Sequence, residues 1–171
     1  IPRVLSNVQI LHGCEINVLN GGKLSLEQKY IDFLDYAIVG IHKECYTDEG
    51  KEKNTDNLIA CMKNEKVHFD DHTPLDYERL VSAAKQYRVA LEVNNSSLVK
   101  KDRRLNCYEN YRKMLKLCEQ QQVPIIISSD AHDPSWVGRF DLAVKLLEEL
   151  QFDESLILTN DIEKLRAFIG V

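Results

Sequence analysis

Apolar and polar positions along the chain follow two periods, one typical of buried strands and the other typical of amphipathic helices. Short, nearly uninterrupted apolar runs predict strands at 8–11 (running on toward Glu15), 35–41, 66–69, 89–93, 124–128 and 156–158. Apolar residues three or four positions apart predict helices at 55–64, 74–87, 106–121 and 135–150, and a final helix between 160 and 170. Because strands and helices alternate, we expect an α/β fold with a parallel sheet, either open or closed into a barrel.

Residues that commonly begin or end helices lie at several predicted boundaries. Thr55 and Asn160 are of the types that cap helix N termini. Pro74 is followed by acidic residues, as is typical of a first helical turn. Gly170 follows the last apolar repeat and is expected to end the final helix.

The composition is that of a globular protein with one sizeable core. The 171 residues are 44% hydrophobic and 29% charged, and the formal net charge of −5 argues against a nucleic-acid-binding surface. The apolar runs are too short to cross a membrane. Five cysteines without Cys-x-x-Cys spacing indicate reduced thiols. We therefore expect a cytoplasmic protein that contacts neither membranes nor nucleic acid.

A carboxylate and an imidazole, Asp130 and His132, follow the predicted strand at 124–128. If the extended backbone continues, positions i and i+2 point to the same side, so both side chains would face one point at the strand's C-terminal end. Barrels of the α/β type place their chemistry at this end, and carboxylate with imidazole is a common metal-ligand pair. The alternative is a turn in which Asp130 is a solvated cap for the next helix.

Polar residues of ligand type close four of the predicted strands: Glu15, His42, Asn94 with Asn95, and Asp130 with His132. The carboxylates and imidazoles among them could together hold one or more first-row divalent ions. Two ions about 3.5–4 Å apart can clamp a phosphoester and activate water. Four ligands are too few for a complete multinuclear site. The alternative is that Glu15 is an exposed edge residue and His42 begins a polar loop.

Four motifs occur in the order and spacing of one known family: Gly13-Cys14-Glu15-Ile16-Asn17, Gly40-Ile41-His42, Ala-Leu-Glu-Val-Asn-Asn-Ser-Ser at 90–97, and Ser-Asp-Ala-His at 129–132. The chain resembles the PHP (polymerase and histidinol phosphatase) family, above all its stand-alone YcdX-type phosphatases. The resemblance implies a distorted (β/α)7 TIM-like barrel that hydrolyses phosphomonoesters with metal-activated water. It also implies two or three divalent metal ions, which could be zinc, manganese or iron.

The resemblance also implies a role for each matching residue. Glu15 resembles the bridging carboxylate, His42 a histidine ligand, Asp130 the second carboxylate and His132 a ligand of the third metal. Asp130 is also a candidate for proton transfer to the leaving group. Arg3 stands where the family has a basic residue, so it is a candidate for binding the substrate phosphate; a surface arginine is the alternative.

Two departures from the family pattern bear on the extent of the chain. The family's opening His-x-His strand and its Asp-His pair are not found, and the Ser-His-Pro expected after the strand at 66–69 is replaced by Asp70-Asp71-His72. A complete barrel needs roughly 250 residues. We therefore expect 1–171 to be a single PHP domain, incomplete at its N terminus and with a gap near 68–70. It would cover about the last two-thirds to three-quarters of the barrel.

Three other functions stay open at this stage. The chain could be a histidinol phosphatase, a non-catalytic PHP module associated with a polymerase, or a remnant that has lost its ligands. Metal content separates the remnant from the others. As partners we expect a small phosphorylated substrate and, through an exposed barrel flank, a second copy of the chain.

Overall fold

The computed structural model describes residues 2–64, 67–69 (backbone only), 74–99 and 106–171. Its strands are β1 (Val4–Leu5), β2 (Val8–Gln9), β3 (Gly13–Leu19), β4 (Lys23–Leu24), β5 (Tyr36–Gly40), β6 (Val67–Phe69), β7 (Leu91–Asn94) and β8 (Ile125–Ser128). Its α-helices are α1 (Gln28–Ile31), α2 (Lys51–Cys61), α3 (Tyr77–Tyr87), α4 (Asn95–Val99), α5 (Cys107–Gln121), α6 (Asp141–Leu150) and α7 (Ile162–Ile169). None of the helices in these ranges is long and apolar enough to cross a membrane.

Six strands form one sheet, in the order β4-β3-β5-β6-β7-β8. The pairings from β3 through β8 are parallel, and β4 lies antiparallel on the outer edge of β3. A parallel bridge joins Ile125 to Ile157 beyond β8. The predicted α/β class and parallel sheet are confirmed, while closure of the sheet into a seven-stranded barrel stays a prediction.

The core lies between one face of the sheet and the helices. Ile16 and Val18 of β3 and Val39 of β5 are fully buried on that face, where Leu115 of α5 and Leu146 of α6 belong to the same core. A smaller cluster covers the opposite face, built from Ile38, Ala90, Ile126, Leu158, Leu165 and Phe168. Glu15 lies on this second face, because it is opposite Ile38 in the register of β3 with β5.

The first predicted strand, 8–11 running on toward Glu15, is found only in part, as Val8–Gln9. The chain forms an antiparallel hairpin of β1 and β2, in which Leu5 lies opposite Val8, and the strand that carries Glu15 begins only at Gly13. The hairpin turns at Ser6 and Asn7, whose φ angles of 49° and 65° are left-handed. Two successive left-handed residues are what a tight two-residue hairpin requires.

Several predicted helix ends also shift. The helix predicted from Thr55 begins four residues earlier, at Lys51, and the Thr55 hydroxyl donates to the Lys51 carbonyl at 2.7 Å inside it. The final helix is capped by Asp161 rather than Asn160, because the Asp161 carboxylate accepts from two first-turn N–H groups. Its predicted end at Gly170 is confirmed by a left-handed φ of 79°.

The segment at 156–158 is not a strand. Two short 3-10 helices, Glu154–Leu156 and Leu158–Asn160, surround the single bridging residue Ile157. The helix predicted at 135–150 is likewise divided into a 3-10 turn, Pro134–Trp136, and α6. The expected gap near 68–70 falls largely outside the described residues.

Candidate metal centre

Two neighbouring parallel strands bring Glu15 and His42 together. In the register of β3 with β5, Glu15 lies opposite Ile38 and Asn17 lies opposite Gly40. His42 follows Gly40 by two residues, so it continues the same face of the sheet. The Nε2 atom of His42 lies 3.0 Å from Oε1 of Glu15. The two side chains therefore lie next to each other, although Glu15 lies within its strand rather than at the end. That they share a metal site stays a prediction.

Both members of this pair can be reached from solvent. The side chain of Glu15 is 46% exposed and that of His42 is 28% exposed. The buried residue Ile41 precedes His42, and the Cys45 N–H donates to the His42 carbonyl at 2.9 Å. The backbone of His42 is therefore fixed between a core residue and a closed turn, while its ring remains accessible.

The second pair, Asp130 and His132, lies in a turn rather than on a strand. β8 ends at Ser128, and Asp130 has a left-handed φ of 49°, so the argument from strand alternation was wrong. Asp and Asn are among the few residues that tolerate this conformation. The turn nevertheless keeps the two side chains close, because Nδ1 of His132 lies 3.4 Å from Oδ1 of Asp130.

The same turn indicates how the His132 ring is protonated. Its Nδ1 lies 2.9 Å from the backbone oxygen of Asp130. A carbonyl oxygen only accepts hydrogen bonds, so Nδ1 must carry the proton in the neutral ring, and Nε2 carries the lone pair. A backbone carbonyl that holds the inner N–H in this way is typical of metal-binding histidines. With the side chain 73% exposed, Nε2 can meet a ligand.

The two pairs are not gathered into one centre. Among the described residues there is no group of three or more His, Cys, Asp or Glu side chains that could hold a metal ion. β5, β6 and β7 lie between β3 and β8 in the sheet. At about 4.8 Å per strand the two outer strands are about 19 Å apart along the sheet, so only its curvature can bring the pairs closer. The four-ligand site stays a prediction.

The two asparagines predicted at the third strand end serve the fold. The Asn94 side-chain oxygen accepts from the Ser97 N–H at 3.0 Å and so begins α4. The Asn95 oxygen accepts from the N–H groups of Leu142 and Ala143, at 2.9 and 3.0 Å, and so caps α6. Both oxygens are thereby used in helix capping.

Arg3 lies at the opposite end of the strands from His42. It forms an ion pair with the carboxylate of Asp35, which also accepts from the His12 N–H at 2.6 Å. Burial alone would raise the pKa of Asp35, but the His12 N–H and the Arg3 guanidinium outweigh it and lower the pKa. Asp35 precedes His42 by seven residues of largely extended chain, a distance of about 20 Å. We therefore do not include Arg3 in the proposed site.

One buried acidic residue was missed by the sequence reasoning. Glu92 of β7 is only 4% exposed and lies opposite Ile126, on the face that also carries Ile38. It acts electrostatically on Tyr36 of β5, whose pKa is raised first by burial and then by the Glu92 charge. The signal in the sequence is a single glutamate within the apolar run 89–93.

The sheet defines an α/β protein, and Glu15 and His42 form a carboxylate–imidazole pair that solvent can reach. A probable phosphatase of Clostridium acetobutylicum is 32% identical over 99% of this chain and 71% of its own length. A probable phosphatase of Acetivibrio thermocellus is 35% identical, again over 99% of this chain and 71% of its own length. A probable phosphatase of Caldanaerobacter subterraneus is 33% identical over 99% of this chain and 68% of its own length. The chain belongs to the family of these probable phosphatases, whose names support phosphatase, and hence hydrolase, activity.

Two further comparisons, with protein-family models and with solved structures, do not extend the family assignment. No protein-family model matches the chain. A chain in a cryo-EM structure of archaeal ribonuclease P with mature tRNA superposes with a TM-score of 0.51 at 16% identity. The superposition covers 93% of this chain and 81% of that one. At this identity the likeness concerns the fold alone.

Proposed function

We propose that the chain is a metal-dependent phosphatase of the PHP type that hydrolyses small phosphomonoesters in the cytoplasm. Two or three divalent ions, zinc, manganese or iron, would be held by Glu15, His42, Asp130 and His132. The observation that carries the proposal is the 3.0 Å approach of His42 Nε2 to Glu15 Oε1 from two adjacent strands.

The side chains of Glu15 and His42 are chemically suited to binding a divalent ion. Carboxylate oxygens and imidazole nitrogens are the ligands that zinc, manganese and iron take in proteins. Two atoms bound to one ion at about 2.0–2.2 Å lie about 3.0–3.6 Å apart, so the observed separation requires little movement. When bound, the ion would supply a nucleophilic water and neutralise charge on the phosphoryl oxygens.

The protein's own residues would supply orientation and proton transfer. The Asp130 carbonyl engages Nδ1 of the exposed His132 ring, which leaves Nε2 for an ion. The Asp130 carboxylate is 18% exposed and lies 3.4 Å from Nδ1 of His132. In this proposal the Asp130 carboxylate takes the proton that the attacking water loses and passes it to the leaving oxygen of the substrate.

Hydrolysis of p-nitrophenyl phosphate tests the proposal. The whole chain is freed of metal with a chelator and assayed before and after addition of Zn²⁺ or Mn²⁺. We expect activity only with added metal. Glu15→Gln removes the charge of the ligand with little change in shape. Loss of an outer-shell partner lowers activity up to about 100-fold, so we expect loss of a ligand to lower kcat/KM at least about 100-fold. Asp130→Asn is expected to lower kcat.

Glu27→Gln is the matched control for Glu15→Gln. Glu27 is a 70% exposed glutamate whose contact is a surface ion pair with Lys29 at 3.0 Å. The same chemical change there is expected to leave kcat/KM unchanged. Equal activity with and without the chelator, or a Glu15→Gln variant as active as Glu27→Gln, would refute the metal-dependent reaction.

A further inference from the structure

Beyond the proposed ligands, a connected set of polar side chains fixes the segment that follows His42. We call it the rim network. Its members are Asn20, Tyr46, Asp48, Glu49, Asn54 and Asn57. Asn54 and Asn57, on α2, are 0% and 4% exposed. Buried amides of this kind are stable only when they are hydrogen-bonded, so a satisfied network holds one arrangement of its backbone.

Tyr46 is the centre of the rim network. Its hydroxyl accepts from Nδ2 of Asn57 at 2.6 Å and donates to Oδ1 of Asn54 at 3.0 Å. The same Asn54 oxygen accepts from the Glu49 N–H at 3.1 Å. The ring of Tyr46 is 6% exposed and belongs to the core between the sheet and the helices. Tyr46 therefore joins α2 to the loop after β5.

The rim network also reaches the strand that carries Glu15. Asn20 directly follows β3 and pairs with the backbone of Thr47 in both directions, at 2.8 and 2.9 Å. Its amide also donates to the carboxylate of Glu49 at 2.8 Å, and that carboxylate accepts from Asn57 at 3.0 Å. The chain leaving β3 is thus tied to the chain leaving β5.

The segment between His42 and the network is short and closed. Ile41 and Tyr46 are buried on either side of it, 1% and 6% exposed, while Lys43, Glu44 and Cys45 are exposed. The hydrogen bond from the Cys45 N–H to the His42 carbonyl closes the turn between them. Displacement of Tyr46 would therefore be transmitted through three exposed residues to the backbone of His42.

We propose that Tyr46 and Asn57 are positioning residues that hold the His42 imidazole at the Glu15 carboxylate. The inference rests on the proposed function, because it treats the pair as metal ligands. Partners that are hydrogen-bonded directly to metal ligands typically change metal affinity about 10–100-fold when they are removed. Tyr46 and Asn57 act through the backbone, so we expect an effect at the lower end of this range. This role differs from a purely structural one, because it predicts a loss of metal affinity at Glu15 and His42, which neither Tyr46 nor Asn57 contacts.

Two variants test the role. Tyr46→Phe removes only the hydroxyl and leaves the Asn57–Glu49 and Asn54–Glu49 hydrogen bonds in place, so the chain is expected to fold. Asn57→Ala removes the amide that donates to the Tyr46 hydroxyl. For each, the Zn²⁺ dissociation constant is measured by competition with a chelator, and amide hydrogen exchange is measured at Cys45 and Thr47. We expect affinity to fall about tenfold and both amides to exchange faster in each variant.

Tyr108→Phe is the matched control. The Tyr108 hydroxyl donates to Glu149 between α5 and α6, away from the sheet face that carries the site. Its loss is expected to leave Zn²⁺ affinity unchanged. Affinity within twofold of wild type in both test variants, while Glu15→Gln weakens it, would overturn the positioning role alone. A wild-type chain that binds neither Zn²⁺ nor Mn²⁺ would overturn the proposed function and the positioning role with it.

Discussion

Asn95 caps a helix that lies 47 residues later in the chain, and its substitution should be costly. The side chain is 5% exposed, and its oxygen accepts from the N–H groups of Leu142 and Ala143, at 2.9 and 3.0 Å. Phe140, the N-cap residue of α6, makes no side-chain hydrogen bond to the first turn, so within the described part of the chain the capping acceptor is Asn95. Asn95→Ala therefore leaves the first turn of α6 without an acceptor.

The magnitude follows from the burial of the two donors. Ala143 is 0% exposed, so its unpaired N–H would cost about 1–3 kcal/mol. Leu142 is partly exposed and can be rehydrated, so losing its hydrogen bond costs about 0.5–1.5 kcal/mol. We expect Asn95→Ala to lower the free energy of unfolding by about 2–4 kcal/mol. For a chain of this size that lowers Tm by about 5–15 °C.

Urea denaturation followed by far-ultraviolet circular dichroism measures this loss. Asn95→Asp keeps an acceptor oxygen at the positive end of the helix, so we expect it to retain most of the stability. Asn64→Ala is a control on a partly exposed asparagine whose side chain donates to Gln28 at 2.9 Å, and we expect it to cost less than Asn95→Ala. A loss below about 0.5 kcal/mol for Asn95→Ala would refute the capping role.

Two further outcomes follow from the described contacts. Arg3→Ala should lower the free energy of unfolding by about 1–2 kcal/mol at pH 7, because Asp35 loses a charged partner. The Asp35 pKa is lowered in the folded state, so this stabilisation is present above the unfolded value near 3.9 and is lost as the pH falls through the folded pKa. The free energy of unfolding, measured by urea titration, should therefore fall less between pH 7 and pH 3 for Arg3→Ala than for wild type. An equal fall in both proteins would contradict the ion pair. Burial raises the pKa values of Cys61 and Cys118 to about 12, so these thiols should react slowly at pH 8. We expect iodoacetamide at pH 8 to label the exposed Cys14 and Cys45 first, and peptide mass spectrometry measures the order of labelling.

The strands formed by continuous apolar runs were predictable. The strand expected at 35–41 is found as Tyr36–Gly40, and the one expected at 124–128 is found as Ile125–Ser128. A continuous apolar run leaves few other structures for such a segment. The N-terminal hairpin was missed because its turn is marked only by Ser6 and Asn7, a weaker signal than one containing glycine.

The candidate site was predictable in its residue types and less so in its geometry. Glu15 and His42 meet as expected, because the parallel register places them on one face. The conformation of Asp130 depends on a left-handed turn that strand periodicity does not indicate. The cap made by Asn95 and the contacts of Tyr46 depend on residues distant in the chain, which local pattern cannot reveal.

A double-mutant cycle on Glu15 and His42 tests the central claim most directly. The measurement is kcat/KM for p-nitrophenyl phosphate with saturating Zn²⁺ or Mn²⁺, in wild type, Glu15→Gln, His42→Ala and the double variant. If both residues hold one ion, each single change should lower kcat/KM at least about 100-fold, and the double variant should be little worse than the poorer single one. Single variants close to wild type, or losses that simply multiply in the double variant, would contradict a shared metal centre.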